Sequence, residues 1–301
     1  MKLLITGGTG FIGTPLCRAL TQHGHELFVV TRRPQEQPAW SGVHFLSWEP
    51  LEWAQRLAMA DGVINLAGEP LAAGRWNASR KRAIRESRIQ STRAVVDTIV
   101  GQTRKPAVLI NASAIGYYGD RGNEVLHEHA APGRGFLPEL CSAWEAEAQR
   151  AEAFGVRVVR VRIGIVLGPD GGALSKMVPP FRLGIGGPLG SGRQWMSWIH
   201  RDDLIGLIEW ALTQPTLSGP VNATAPYPLT MRHFARELGR ALNRPSWAPV
   251  PSIALRVLLG EMADLLLTGQ RVLPQAALNA GYQFTYPQLP EALHASLTPF
   301  R

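Results

Sequence analysis

Glycines near the N-terminus have the spacing of a phosphate-binding turn. The segment ITGGTGFIG, which starts at Ile5, places Gly7, Gly10 and Gly13 three residues apart. Between a strand and a helix, this spacing lets backbone N–H groups approach a pyrophosphate and lets the helix pack close to the strand. The helix start adds partial positive charge. The sequence therefore predicts a dinucleotide site formed by Gly7, Thr9, Gly10, Phe11, Ile12 and Gly13.

Two arginines follow the second predicted strand, in the segment VVTRRP. Sites specific for NAD usually carry Asp or Glu at this point, where the carboxylate binds the ribose 2′-hydroxyl. Here Arg32 and Arg33 follow Thr31, and no acidic residue comes before Glu36. Because arginine pairs bidentately with a phosphate, the pattern favours NADP(H) over NAD(H). The alternative is a solvated strand end without a ligand.

Strands and helices that alternate along the chain must position these residues. Short apolar runs predict strands at 2–6, 26–31, 43–46, 61–66, 107–114 and 156–165, and helical periodicity predicts helices at 11–23, 79–100 and 137–154. This alternation indicates a doubly wound parallel α/β sheet, the NAD(P)-binding Rossmann fold. Since ligands bind at the carboxyl edge of such sheets, the residues after the fourth strand should lie beside the cofactor: Leu66, Ala67 and Gly68.

The segment after Leu167 is rich in glycine and proline, and helices are expected again at 204–213 and 231–242. Residues 250–301 are predicted to be mostly helical. We therefore expect a Rossmann core at 1–167, substrate-lobe segments interleaved with the last sheet elements at 168–248, and a small helical C-terminal domain at 249–301.

Composition narrows the classes of function. The 301 residues are 45% hydrophobic and 18% charged, with no apolar stretch of the roughly 20 residues that a membrane helix needs. With no signal-peptide core, a cytoplasmic protein without membrane association is expected. Two cysteines without ligand spacing predict no metal site. The net charge of +8 and the basic cluster at 75–93 could attract nucleic acid, but the sequence contains no nucleic-acid-binding motif. The expected partner is therefore a small-molecule substrate. The oligomeric state stays open.

Several motifs together resemble the YfcH-type epimerase family, atypical members of the extended short-chain dehydrogenase/reductases within the NAD-dependent epimerase/dehydratase superfamily. They are ITGGTGFIG, VINLAGEPL, RWN, ESR, SAIGYYGD, PPFRLGIGGPLGSGRQ, WIHRDDL and, in a C-terminal domain of unknown function, GQRVLPQ. The resemblance implies NADP(H) contacts from Thr31, Arg32, Leu66, Ala67 and Arg88. From the residues alone, Arg88 is one charge on a solvated helix face.

Short-chain dehydrogenases commonly use a serine to orient the substrate and a Tyr-xxx-Lys pair for proton transfer. Ser113 matches the serine, but the helix that should carry the pair reads GFLPELCSAWEAEA, with Leu140 and Trp144 at the two positions. Tyr117 and Tyr118 are the nearest substitutes, and packing beneath the loop is their alternative role. We predict Ser113 and Tyr117 as catalytic residues, with Glu145 and His200 as other candidates for the acid or base.

The segment 179–203 resembles the substrate-lobe segment of extended family members. Its predicted substrate contacts use charge and ring stacking and come from Arg182, Arg193, Trp195 and His200, with Gln194 beside them. The alternative is that His200 and Asp202 brace the loop and cap the helix that starts near Leu204, and for Asp202 we expect this structural role.

Two functions remain open on these residues. The first is an NADP(H)-dependent oxidoreductase or epimerase that acts on a small polar compound, such as a sugar nucleotide or a carbonyl compound. The second is a non-catalytic NADP(H)-binding protein, a redox sensor or partner-binding module, because the usual tyrosine and lysine are missing and fold alone does not establish catalysis.

Overall fold

The computed structural model describes residues 1–297, including every side chain except that of Pro50. The last four residues of the predicted C-terminal domain, 298–301, lie outside the described residues. The described strands are β1 Lys2–Thr6, β2 Glu26–Val30, β3 Val43–Leu46, β4 Gly62–Asn65, β5 Val108–Ala114, β6 Val125–Leu126, β7 Arg157–Ile163, β8 Ile165–Leu167, β9 Trp195–Met196, β10 Trp198–His200, β11 Gly219–Ala223, β12 Leu229–Thr230 and β13 Arg271–Val272. The described α-helices are α1 Gly13–Gln22, α2 Pro50–Leu57, α3 Ala78–Gly101, α4 Phe136–Gln149, α5 Leu174–Arg182, α6 Arg201–Thr213, α7 Met231–Ala241, α8 Ser252–Leu259, α9 Asp264–Leu267, α10 Gln275–Asn279 and α11 Leu289–Leu297.

Seven strands form the central sheet in the order β11-β7-β5-β4-β1-β2-β3. All of its pairs are parallel, and the register places Ile5 of β1 beside Val29 of β2 and Ile64 of β4. The chain leaves β1 toward β2 on one side and reaches β4 on the other. The predicted doubly wound fold is confirmed, and β11 is a seventh strand that the periodicity did not predict.

Alternate residues of each strand are buried under helices on opposite faces of the sheet. In β1, Leu3 and Ile5 pack with α1 and α6, whereas Leu4 packs with α2 and α3. In β2, Phe28 lies on the side of Leu4. Both faces of the central sheet are therefore covered by helices and shielded from water, which explains why the strands appear in the sequence as continuous apolar runs.

The strand predicted at 156–165 is two strands in the structure, because Gly164 turns the chain out of the central sheet. A Cβ on Gly164 would lie 2.6 Å from the carbonyl oxygen of Ser197, so only glycine fits this crossing. β7 pairs within the central sheet, whereas β8 pairs with β10. The junction opens a gap beside the end of β5.

The C-terminal segment packs onto the rest of the molecule. β13 pairs with β6, Ala277 of α10 joins the core under the central sheet, and α11 packs against α7. No helix within residues 1–297 combines the length and apolar character needed to cross a membrane.

Candidate cofactor and substrate site

The predicted glycine turn forms a tight backbone cradle between β1 and α1. Gly7 has a φ of +72°, and a Cβ there would lie 2.7 Å from the backbone of Leu66. A Cβ on Gly13 would lie 2.1 Å from the carbonyl oxygen of Gly7, so only glycine lets α1 pack this close. No side chain caps α1 at Ile12. Thr14 N–H already donates to the carbonyl oxygen of Gly10 at 2.9 Å, and Pro15 has no N–H. The N–H of Gly13, beside the turn, is therefore the one that α1 leaves open to an anion.

Phe11 joins this turn to the segment after β8. A Cβ on Gly171 or Gly172 would lie 2.6 or 2.8 Å from the ring of Phe11. The guanidinium carbon of Arg201 lies 5.2 Å from the centre of the same ring. The side chain of Phe11 thus holds the loop after β8 against the cradle, while its backbone stays at the helix start.

A pocket of about 480 Å³ lies beside the turn, and we call it the cofactor pocket; its lining is Thr9, Thr31, Arg32, Arg33 and Gln37. Nη1 of Arg32 lies 3.1 Å from Oε1 of Glu69, and Nη1 of Arg33 lies 3.2 Å from Oε2 of Glu36. Both arginine side chains are mostly exposed, and ion pairs of this kind are weak. The structure therefore brings the predicted arginines to one pocket with the turn.

Arg88 lies close to the loop that follows β4. Its guanidinium carbon would be 3.0 Å from a Cβ on Gly68, and it lies 5.3 Å from the centre of the Trp144 ring. Nη1 donates to the carbonyl oxygen of Ile84 at 3.1 Å. Burial lowers the pKa of Arg88, and among residues 1–297 it forms no ion pair. Arg88 is thus a half-buried cation that packs on the loop after β4 and on Trp144, not one charge on a solvated helix face.

Ser113 belongs to a buried polar network at the end of β5. Its hydroxyl donates to Oε1 of Glu145 at 2.6 Å. Nε and Nη2 of Arg162 donate to the two oxygens of Glu145 at 2.7 and 2.8 Å, and Nη1 donates to the hydroxyl oxygen of Tyr118 at 2.9 Å. Burial opposes the charge on Arg162, but the hydrogen bonds and charge of Glu145 raise the pKa of Arg162 overall. The Ser113 proton therefore points to Glu145.

The two tyrosines after β5 have different surroundings. Tyr118 is fully buried, its hydroxyl donates to Oδ1 of Asn222 at 2.6 Å, and burial raises the pKa of Tyr118 to about 12. Tyr117 is only half-buried, and the guanidinium carbon of Arg162 lies 3.5 Å from the centre of its ring. Tyr118 therefore serves the core, whereas Tyr117 is a partly accessible phenol beside a cation.

The helix positions of the missing tyrosine and lysine hold packing residues. Leu140 is buried in a cluster with Trp76 and Ile84. Nε1 of Trp144 donates to the hydroxyl of Thr92 at 2.8 Å inside the protein. Neither side chain can transfer a proton to a substrate.

A second pocket of about 540 Å³ opens beyond the end of β5, and we call it the β5 pocket. Its walls come from the ends of β5 and β7, the start of α4, the segment before and into α3, and the C-terminal segment. They include Trp76, Lys81, Ala114, Phe136, Gly164, Trp195, Glu261, Leu265 and Gln270. The carboxyl edge of a parallel sheet is where ligands of this fold bind. Among these residues the sequence had indicated only Trp195.

The four predicted substrate residues do not meet in the β5 pocket. Trp195 lines it, with Nε1 donating to Oδ1 of Asn123 at 2.9 Å. Arg182, at the end of α5, and Arg193 are exposed and lie outside its lining, as does His200. The four residues do not line one common cavity, and their joint role in substrate binding stays a prediction.

His200 is a buried helix cap. Its Nδ1 accepts a hydrogen bond from the backbone N–H of Asp202 at 3.2 Å, and its ring lies 4.1 Å from that of Tyr286, centre to centre. Burial lowers the pKa of His200, with a smaller opposing effect from Asp202. The structural alternative for His200 is therefore confirmed, but Asp202 does not cap α6, because the helix begins at Arg201 and not near Leu204.

Neither thiol is placed for chemistry. Burial raises the pKa of Cys17 and that of Cys141 to about 12. Within residues 1–297, no group of three His, Cys, Asp or Glu side chains is arranged to hold a metal ion.

Comparison with known proteins gives consistent matches. Residues 3–225 match the NAD dependent epimerase/dehydratase family, and residues 250–296 match a domain of unknown function, DUF1731. The epimerase family protein SDR39U1 homolog of Arabidopsis thaliana chloroplasts is 44% identical over 98% of this chain and 86% of its own length. Epimerase family protein YfhF of Bacillus subtilis is 42% identical over 97% of both chains.

A solved structure extends this likeness to three dimensions. The crystal structure of human epimerase family protein SDR39U1 with NADPH has a TM-score of 0.88 at 35% identity, over 98% of this chain and 99% of that chain. The chain therefore belongs to the NAD-dependent epimerase/dehydratase family and, within it, to the SDR39U1-like epimerase family proteins that carry a DUF1731 segment.

Proposed function

We propose that this protein is an NADP(H)-dependent oxidoreductase or epimerase that acts on a small substrate in the β5 pocket. One observation carries the proposal: a glycine cradle and an arginine-lined pocket follow β1 and β2, and a second cavity opens after β5 and β7 of the same parallel sheet. When bound, NADPH supplies a hydride to a carbonyl carbon. The human relative crystallised with NADPH supports this cofactor.

The residues of the cradle fit NADPH. Gly7 and Gly13 leave backbone space that a Cβ would fill, so the pyrophosphate can approach the uncapped start of α1. Arg32 and Arg33 offer guanidinium groups to the 2′-phosphate, with Thr31 beside them. Arg88 forms no ion pair with any described residue, so its guanidinium is available to an anionic ligand. Its proposed partner is a cofactor oxygen near Leu66 and Ala67.

Tyr117 is the proposed proton donor, and Ser113 is a proposed substrate contact. Neither residue is part of the β5 pocket wall, which runs through the three residues between them. The guanidinium of Arg162 stacks on the Tyr117 ring, at the place where the usual pair has a lysine, although its charge is paired with Glu145. Ser113 lies one residue before Ala114 of the pocket wall. To hold a substrate oxygen, its hydroxyl would have to rotate away from Glu145.

A second candidate is a non-catalytic NADPH-binding protein. The Ser113–Glu145 hydrogen bond favours it, because the serine proton is already used inside the protein. The packing roles of Leu140 and Trp144 favour it as well.

Turnover separates the two candidates. The purified chain is mixed with NADPH and a panel of carbonyl compounds, and NADPH loss is followed by absorbance. We expect Tyr117→Phe to lower the rate by about 100-fold or more, the usual contribution of a proton donor, without changing NADPH affinity. The matched control is Tyr227→Phe, a change at an exposed tyrosine. Tight NADPH binding, with neither NADPH loss nor epimerisation of any compound, would favour the non-catalytic protein.

A further inference from the structure

We infer that the β5 pocket takes an uncharged, flat aromatic carbonyl compound of the quinone or aryl ketone class, and not a sugar nucleotide. This inference rests on the proposed function for the hydride. The evidence is the charge, the walls and the polar groups of the pocket itself.

The charges of the lining do not suit a diphosphate. Two cations, Lys81 and Arg134, stand against three carboxylates, Asp120, Glu261 and Asp264, a formal net charge of −1. Lys81 is ion-paired with Glu261. Asp264 is paired at 3.0 Å with an arginine outside the lining. A dianionic diphosphate would lose its hydration here without gaining two free cations, which is unfavourable.

The cations that the sequence offered for an anionic substrate lie elsewhere. Arg182 and Arg193 are exposed and are not part of the pocket wall. Arg134, beside the start of α4, is the one lining cation without an ion pair among residues 1–297. One cation and one helix start can hold a single electronegative oxygen, such as that of a carbonyl group.

Aromatic and aliphatic side chains make up much of the wall. The rings of Trp76 and Phe136 meet edge to face, with centres 5.3 Å apart. Leu71 and Leu265 pack into the same cluster, and Trp195 lies on the wall as well. Burying a flat aromatic compound against such walls removes apolar surface from water and adds ring contacts.

Direct binding tests the class without relying on turnover. The full-length chain is saturated with NADP⁺, which has no hydride to give, and titrated by calorimetry with 2-methyl-1,4-naphthoquinone or with UDP-glucose. We expect the naphthoquinone to bind and UDP-glucose to give no binding heat. Leu71→Asp should weaken naphthoquinone binding about tenfold through loss of an apolar contact. The control, Leu183→Asp, alters an exposed leucine outside the pocket and should leave it unchanged.

A second variant covers the case in which Leu71→Asp does not fold. Asp120 lies in an exposed loop, and Asp120→Lys changes the formal charge of the lining from −1 to +1. It should leave naphthoquinone binding in place and raise the affinity for UDP-glucose. Tighter binding of UDP-glucose than of naphthoquinone by the unmodified chain would overturn the inference, as would absence of naphthoquinone binding. Naphthoquinone binding without NADPH oxidation would support the substrate class while contradicting the proposed enzyme.

Discussion

Replacing Glu145 with alanine would leave a guanidinium inside the protein without its carboxylate. The side chains of Glu145 and Arg162 are 4% and 3% exposed, and two hydrogen bonds of 2.7 and 2.8 Å join them. Removing one partner of a buried pair costs about 3–5 kcal/mol, because the other charge stays desolvated. We therefore expect Glu145→Ala to lower the free energy of unfolding by at least about 3 kcal/mol.

The chain contains a matched control for this change. Glu124 accepts two hydrogen bonds from Arg121, at 2.9 and 2.8 Å, but the pair is open to water. Glu124→Ala should cost less than about 1 kcal/mol, as for other surface pairs. Ser113→Ala should cost about 1 kcal/mol, the value of one hydrogen bond.

Urea unfolding followed by far-ultraviolet circular dichroism measures all three variants. The order of loss should be Glu145→Ala, then Ser113→Ala, then Glu124→Ala. If Glu145→Ala cost no more than Glu124→Ala, the reasoning that the buried Glu145–Arg162 pair anchors this network would be refuted.

Three further changes test the cofactor site and the cap. Arg32→Ala should weaken NADPH binding about 10- to 100-fold, since a hydrogen bond to a charged group is worth roughly 1.5–3 kcal/mol, and should spare NADH in fluorescence titrations; equal losses would contradict the 2′-phosphate assignment. Gly13→Ala should abolish dinucleotide binding, because its Cβ would lie 2.1 Å from the oxygen of Gly7; Gly101→Ala, with open space around it, should not. Burial lowers the pKa of His200, so as the pH falls the unfolded chain binds a proton at His200 before the folded protein does, and the free energy of unfolding decreases below the ordinary pKa of about 6.5. His200→Asn, which can still cap α6, should make the free energy of unfolding less dependent on pH in this range, as measured by urea unfolding. The same pH dependence in the variant and the unmodified chain would refute the assignment.

The glycine turn and the order of strands could be predicted because their signals are local. Gly7, Gly10 and Gly13 lie within one turn, and each early strand is a short apolar run between polar segments. The strand predicted at 156–165 was wrong as one unit, since its break at Gly164 depends on Ser197, which lies 33 residues further along the chain.

The surroundings of the candidate catalytic residues could not be predicted. Ser113 meets Glu145 from α4, and Tyr118 meets Asn222, 104 residues away. No local sequence pattern predicts contacts between residues so far apart in the chain. The two tyrosines look equivalent in the sequence, and only their packing separates a buried Tyr118 from an accessible Tyr117.

The walls of the β5 pocket were missed for the same reason. Lys81 and Glu261, which are ion-paired at its edge, are 180 positions apart. The cap of α6 was assigned to Asp202 in preference to His200 for a local reason, because aspartate is a far more common cap than histidine.

The most direct test of the account is the choice of cofactor by the unmodified chain. Dissociation constants for NADPH and NADH are measured side by side, by quenching of tryptophan fluorescence at one salt concentration. The arginine-lined cofactor pocket predicts that NADPH binds at least about tenfold more tightly, because only NADPH carries the 2′-phosphate. Equal or tighter binding of NADH, or binding of neither, would contradict it.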